Sequence, residues 1–376
     1  MSANCAWNLV NFRKPIMREL IRSGWNVVAI VPTDKFTPEL ERLGVAVEPL
    51  AMNAKSLSPL GDTILLFRYY RALRRIKPAI FLGFTAKPNI YGSAAAAWAD
   101  IPSINTISGL GTGFLSGRIL QALVARLYRW GLRNSRRVFF HNEDDLKLFV
   151  GSGIVDRRQA AVVRGSGINL REFAPVPSTS HRNRPLTFLF IGRFLKDKGL
   201  REFIAAAAEV KKRQPARFQI IGSVESHPKA VSAELVAEAV ENGHVDLVGN
   251  TADVRPFVAS ADCIVLPSYR EGLPRVILEA AAMGKPVIVA DVPGCRAAIE
   301  PDVTGLLCEP RSASSLAKAM HSFAAMPYEE RIAMGLRART KAEQEFSEDR
   351  VVAAYLDTIA QLGSRRRSYE CDEVLA

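Results

Sequence analysis

The sequence predicts an α/β protein built from two parallel-sheet domains, and three observations carry that prediction. Short apolar runs rich in β-branched and aromatic residues alternate with helix-periodic stretches from end to end. The alternation restarts after residues 174–185 (APVPSTSHRNRP), a Pro/Ser-rich polar segment suited to be a linker. At 376 residues the chain is long for one core and suits two domains of ordinary size.

Each element follows from the local pattern. Helices are expected over 11–22, 37–43, 60–76, 89–98 and 120–133, with strands over 26–31, 45–49, 79–82, 103–106 and 137–141 between them. Asn142 to Asp145 reads as a helix cap with acidic first-turn residues. Beyond the linker, strands are expected over 186–191, 218–221, 245–247, 263–266, 287–289 and 306–308. The first domain thus spans 1–173, the second 186–347, a late helix 348–363, and the tail 364–376 reads as disordered.

Composition narrows the function classes. Hydrophobic residues make up 48% of the chain, a globular proportion, yet every long apolar stretch is interrupted, so no membrane-spanning helix is expected. No signal-peptide pattern opens the sequence. Five cysteines (Cys5, Cys263, Cys295, Cys308, Cys371) lack metal-like spacing, and their odd number argues against a disulfide framework, which fits a reducing cytoplasm.

The net charge of +12 is uneven: residues 1–182 hold 25 basic and 12 acidic side chains, residues 183–376 hold 25 and 26. Two stretches concentrate the excess, 65–78 (LLFRYYRALRRIKP) and 117–137 (GRILQALVARLYRWGLRNSRR). Basic amphipathic helices bearing aromatics suit an anionic membrane surface. With no zinc-finger spacing, aromatic RNA-binding motif or compact helix-turn-helix, nucleic acid is not expected as a partner.

Two constellations carry the chemistry. In PSYREGLPRVILEAAAMGKPV, Glu271 follows a strand and a turn, while Glu279 lies within a helix that Pro274 opens and Gly284 closes. A Glu on so apolar a helix is costly without a polar partner. The helix start favours an anion, and the two carboxylates can hold hydroxyls, so a sugar joined to a nucleotide through a diphosphate fits. Upstream, GRFLKDKG places Arg193 and Lys198 between Gly192 and Gly199, after a buried strand. Such loops at the carboxyl ends of parallel strands bind ligands, with Arg gripping phosphate bidentately and Lys as a point charge. Two glycines let the backbone come close.

These motifs, with NTISGLGTGF (105–114), VFFHNEDDLKLF (138–149), GSGINLREF (165–173) and DVPGCRAAIE (291–300), resemble family 4 of the retaining nucleotide-sugar glycosyltransferases. The resemblance covers nearly the whole chain. It is strongest to the branch that moves hexoses or N-acetylhexosamines onto lipid-linked or polysaccharide repeat-unit acceptors. It implies the GT-B architecture, two Rossmann-like domains facing across a cleft, with the late helix crossing back to an acceptor-binding first domain. It implies that Arg193 and Lys198 bind the donor diphosphate, Glu279 the ribose hydroxyls, and Glu271 the transferred sugar, Arg193, Lys198 and Glu271 being the catalytic set. Gly192, Gly272, Leu273, Arg275 and Val276 would complete the donor site. Pro274 replaces the family's glycine and removes a backbone donor. Uridine is the implied base, no metal or cofactor is implied, and the enzyme would work peripherally on the inner face of the cell membrane.

The first domain offers Gly109 and Gly111, in the loop SGLGTG, and His141 at a strand end as acceptor or cleft residues. The dinucleotide fingerprint is not met there, because Phe114 occupies its third glycine position. Only MSANCAW precedes the first helix, whereas the family begins with an apolar strand central in the first sheet. A misplaced start, rather than a gap exposing strand edges, is the expectation. A nucleotide-sugar epimerase, or a membrane-associated binding protein without activity, are the rival readings.

Overall fold

A computed structural model of the chain describes residues 1–53, 58–110, 117–176, 184–224 and 229–373. The chain divides into two compact units, Met1–Gly167 with Glu348–Ala376, and Ile168–Ser347. The division falls before the Pro/Ser-rich segment rather than at it. Residues 168–173 belong to the second unit because Ile168 N–H donates to the Phe346 carbonyl (2.8 Å) and Phe173 is buried in that unit's core. Within 174–185, residues 177–183 lie outside the described residues.

The first unit holds β1 (Val28–Val31), β2 (Ala46–Pro49), β3 (Phe81–Gly83), β4 (Ser103–Ile107), β5 (Arg137–Phe140) and β6 (Ala160–Val162). Strands β1 and β2 pair in parallel, and β3-β4-β5-β6 form a separate parallel sheet. A short N-terminal segment stands between β1 and β3. Ser2 pairs in parallel with both Ile30 and Gly83, accepting from Phe84 N–H (3.1 Å) and donating to the Leu82 carbonyl (2.8 Å). Met1 continues that segment along β1, its amine donating to the Val28 carbonyl at 2.7 Å. Beside the amino ends of β1 and β3 lies an apolar cavity of about 420 Å³, lined by Val27, Val28, Leu73, Ile80 and Phe81 among others.

Helices α1 (Ala6–Arg22), α2 (Thr37–Arg42), α3 (Pro59–Ile76), α4 (Ser93–Trp98), α5 (Arg118–Leu132) and α6 (Glu143–Gly151) surround these strands. Sequence explains their starts: Ser58 accepts from Gly61 N–H with Pro59 at the first helical position, and Asn142 accepts from Asp145 N–H at 2.8 Å.

The second unit is one six-stranded parallel sheet, made of β7 (Leu186–Ile191), β8 (Ala216–Ile221), β9 (Asp246–Gly249), β10 (Cys263–Leu266), β11 (Val287–Ala290) and β12 (Gly305–Cys308). Helices α7 (Leu200–Lys211), α8 (Ala233–Glu241), α9 (Arg255–Ser260), α10 (Arg275–Ala282), α11 (Pro293–Arg296), α12 (Ala313–Ala325) and α13 (Tyr328–Lys341) accompany it. Its central strands read as unbroken apolar runs because both faces are covered; Phe188, Leu189, Ile264, Val265 and Ile288 are fully buried. The strand order is β12-β11-β10-β7-β8-β9. From β7 the chain winds outward to β9, then returns to place β10 on the other side of β7. The crevice at the carboxyl ends of β7 and β10 is therefore a topological switch point, where open α/β sheets bind ligands.

The last helix, α14 (Glu348–Glu373), belongs to the first unit and packs on α1. Tyr355 fixes it there: its ring lies 4.9 Å from Phe139 and its hydroxyl shares a hydrogen bond with Thr106. The helix runs on through residues 364–373, which the sequence reads as disordered.

Candidate functional site

Two loops leave the sheet at the switch point. Residues 192–199 follow β7 and include a 3-10 turn, Lys196–Lys198; residues 267–274 follow β10 and lead into α10. Tyr269 N–H donates to the Asp197 carbonyl at 2.9 Å, tying one loop to the other. Gly199 makes the fit possible. It adopts φ +75°, and a Cβ there would run into the Pro267 carbonyl. Gly222 packs closely beneath the first loop, since a Cβ there would strike the Gly192 carbonyl; at Gly192 itself a Cβ would meet the Phe190 ring, at 3.4 Å.

The result is one charged pair across two loops. Lys198 Nζ stands 2.5 Å from Glu271 Oε1, with side chains 21% and 12% exposed. Arg193 is exposed on the same loop as Lys198. Glu279 sits one turn into α10, 9% exposed, and accepts from Arg275 Nε at 3.1 Å. Burial pushes the Glu279 carboxyl above the usual range, and Arg275 pulls it back. Gly272 and Leu273 are buried between the two carboxylates, with Val276 half-buried at the helix start. The sequence-predicted donor residues thus converge on the carboxyl ends of two adjacent strands.

Further residues support this site without having been singled out in the sequence. Gly294, in α11, packs so tightly that a Cβ would meet the Glu271 and Gly272 carbonyls. Tyr269 donates its hydroxyl to Glu202 (2.6 Å) while the Arg311 guanidinium lies 4.8 Å over its ring. Ser268 Oγ is buried with no partner among the described residues. The Arg275–Glu279 pair was legible as an i,i+4 spacing; the others join residues far apart in the chain and left no local mark.

The first-unit candidates form a separate set. His141 ends β5, 4% exposed, and its Nε2 has no partner among the described residues. Burial, reinforced by the Arg13 guanidinium, holds its pKa well below the ordinary value, so the ring is neutral. Arg13 is itself buried, stacked 4.6 Å over the Phe84 ring. Gly109 adopts φ +146° after β4; Gly111 lies outside the described residues.

The crevice at the switch point thus gathers a cation, two carboxylates and the start of an apolar helix. Comparison with known proteins names the class. Glycosyl transferases group 1 matches residues 185–325 and the Glycosyl transferase 4-like domain matches residues 14–165. The chain belongs to this glycosyltransferase family, with the GT-B fold. It is 28% identical over 327 residues to the N,N'-diacetylbacillosaminyl-diphospho-undecaprenol alpha-1,3-N-acetylgalactosaminyltransferase of Campylobacter jejuni, covering 83% of this chain and 85% of that one. It is 25% identical over 291 residues, 71% of each, to the UDP-Gal:alpha-D-GlcNAc-diphosphoundecaprenol alpha-1,3-galactosyltransferase of Escherichia coli. Among solved structures, Anabaena Alr3699/HepE in complex with UDP-glucose superposes with a TM-score of 0.77 at 17% identity, covering 96% of this chain and 98% of that one.

Proposed function

We propose that this glycosyltransferase moves a hexose or N-acetylhexosamine from a UDP-sugar to a lipid-linked acceptor at the inner membrane face, retaining the anomeric configuration. The observation that carries the donor half is the Lys198–Glu271 pair at the β7/β10 switch point. Two relatives whose names specify undecaprenol diphosphate acceptors support the acceptor half.

In this mechanism the bond from C1 to the diphosphate oxygen breaks and a bond from C1 to the acceptor oxygen forms on the same face. UDP leaves with the electron pair. The acceptor hydroxyl proton passes to the departing phosphate oxygen. Lys198 and Arg193 stabilise charge growing on that phosphate, which needs no reorganisation because the loops already hold Lys198 in place. Glu279 accepts from the ribose hydroxyls, and Glu271 orients the sugar once the ligand competes for Lys198.

The test is a panel of UDP- and GDP-sugars incubated with a short-chain polyprenyl-diphosphate sugar, the product's linkage being read by NMR. An α-linked product from an α-linked UDP-sugar is expected. An inverted product would remove the retaining mechanism. Donor consumed to an epimer without any acceptor would replace transfer with epimerisation.

A further inference from the structure

Helices α3 and α5 each expose a stripe built to the same plan. On α3, Leu60, Ile64 and Phe67 are followed by Arg71 and Arg74; on α5, Ile119 and Leu123 are followed by Arg126, Trp130 and Arg133. Both sets repeat at four- and three-residue steps, so each lies along one helix face. Trp98, closing α4, joins them: its ring centroid is 6.3 Å from Phe67 and 6.4 Å from Trp130. These three rings are 54%, 50% and 43% exposed. A row of half-exposed aromatics in mutual contact, continued by exposed aliphatics at both ends, is a larger apolar surface than a solvated helix needs.

Charge indicates what covers it. The only acidic residue of α3 and α5 is Asp62, which is buried and engaged by Lys87 Nζ at 2.5 Å. Two neighbouring exposed arginines are occupied, Arg68 on the Ala51 carbonyl and Arg129 on the Gly153 carbonyl. The side chains of Arg71, Arg74, Arg126 and Arg133 are exposed, with no hydrogen bond or ion pair among the described residues. Aromatic rings flanked by unpaired arginines match the headgroup boundary of an anionic bilayer, where rings sit among headgroups and guanidinium groups meet lipid phosphates. Two copies meeting through this face would bring like charges together.

We propose that the α3–α4–α5 face is a membrane-insertion surface in which Phe67, Trp98 and Trp130 enter an anionic leaflet and the four free arginines hold its phosphates. No described helix is long and apolar enough to cross a membrane, so the attachment is superficial. The inference deepens the reading of a lipid-linked acceptor and rests on it.

The experiment uses the full chain with vesicles of phosphatidylglycerol and phosphatidylcholine, without donor or acceptor. In a Trp7→Phe/Trp25→Phe background, brominated lipid should quench the two remaining tryptophans. Phe67→Ser/Trp98→Ser and, separately, Arg71→Glu/Arg126→Glu should each weaken co-sedimentation with anionic vesicles at least tenfold. The exposed charge-reversal pair should leave transfer to a water-soluble acceptor analogue unchanged. Absent vesicle binding, binding without quenching, or a lipid-free dimer that the aromatic variant dissociates would overturn the proposal. Failure of transfer alongside intact vesicle binding would instead strike the enzymatic reading.

Discussion

The two units use the same β/α alternation but solve different problems. The second is one continuous sheet whose single core runs from Ile168 to Phe346. The first has its sheet interrupted at residues 1–3 and two separate cores, one on each side. Surface chemistry diverges as well. Every strongly exposed aromatic among the described residues (Trp7, Trp25, Phe67, Trp98, Trp130) belongs to the first unit, while the second exposes only scattered aliphatics. Residues 1–167 carry 23 basic against 11 acidic side chains. The second unit pairs a cation with a carboxylate across two loops at its switch point, and the first carries its basic excess on exposed helix faces.

The largest expected effect breaks the second unit's crevice. Gly199→Ala combines a strained left-handed conformation with a collision on the Pro267 carbonyl. It should cost about 2–5 kcal/mol by denaturant titration. Gly243→Ala, also at positive φ (+65°) but with open space around it, is the control and should lose only about 1–2 kcal/mol. Equal losses would mean that the loop junction is not tightly packed.

Next comes Lys198→Ala, expected to lower turnover at saturating donor at least tenfold, ~1.4 kcal/mol or more. Wild-type turnover would take Lys198 out of the chemistry. Such a variant also leaves Glu271 without its partner, so stability should be measured beside activity.

The smallest effect sharpens the contrast from the first unit. His141 is neutral when folded and regains its ordinary pKa near 6.5 when unfolded. Its contribution is therefore complete above that pH and is lost as pH falls, because only the unfolded chain takes up the proton, at ~1.4 kcal/mol per pH unit. His141→Asn should flatten this acid limb. The buried N-terminal amine, lowered to about 5, bends the same limb, so the quantity to compare is the difference between wild type and variant. Identical slopes would show that His141 is hydrated.

Much of this was legible in the sequence where a property is local. Apolar runs revealed the strands of the second unit, Pro274 and Gly284 bracketed α10, and the order strand–loop–helix placed Lys198 and Glu271 at strand ends. Strand order was not legible. Nothing in residues 186–191 or 263–266 says that β10 lies beside β7, and the Lys198–Glu271 contact depends on that adjacency across 73 residues. The three-residue β6 is too short to show periodicity. Composition marks solvated chain at 174–185, whereas the boundary between the two units at 167/168 is marked by backbone pairing to Phe346, which leaves no local signal. The aromatic row was half visible: each helix showed its arginines, but the contact through Trp98 needs three helices in place.

The central claim is that the second unit grips the nucleotide through Lys198 on one loop and Glu279 on the adjoining helix. Calorimetric titration of UDP into wild type, Lys198→Ala, Glu279→Gln and His141→Asn tests it directly. The account predicts at least tenfold weaker binding for the first two variants and wild-type affinity for His141→Asn. Unchanged UDP affinity in both Lys198→Ala and Glu279→Gln would contradict it.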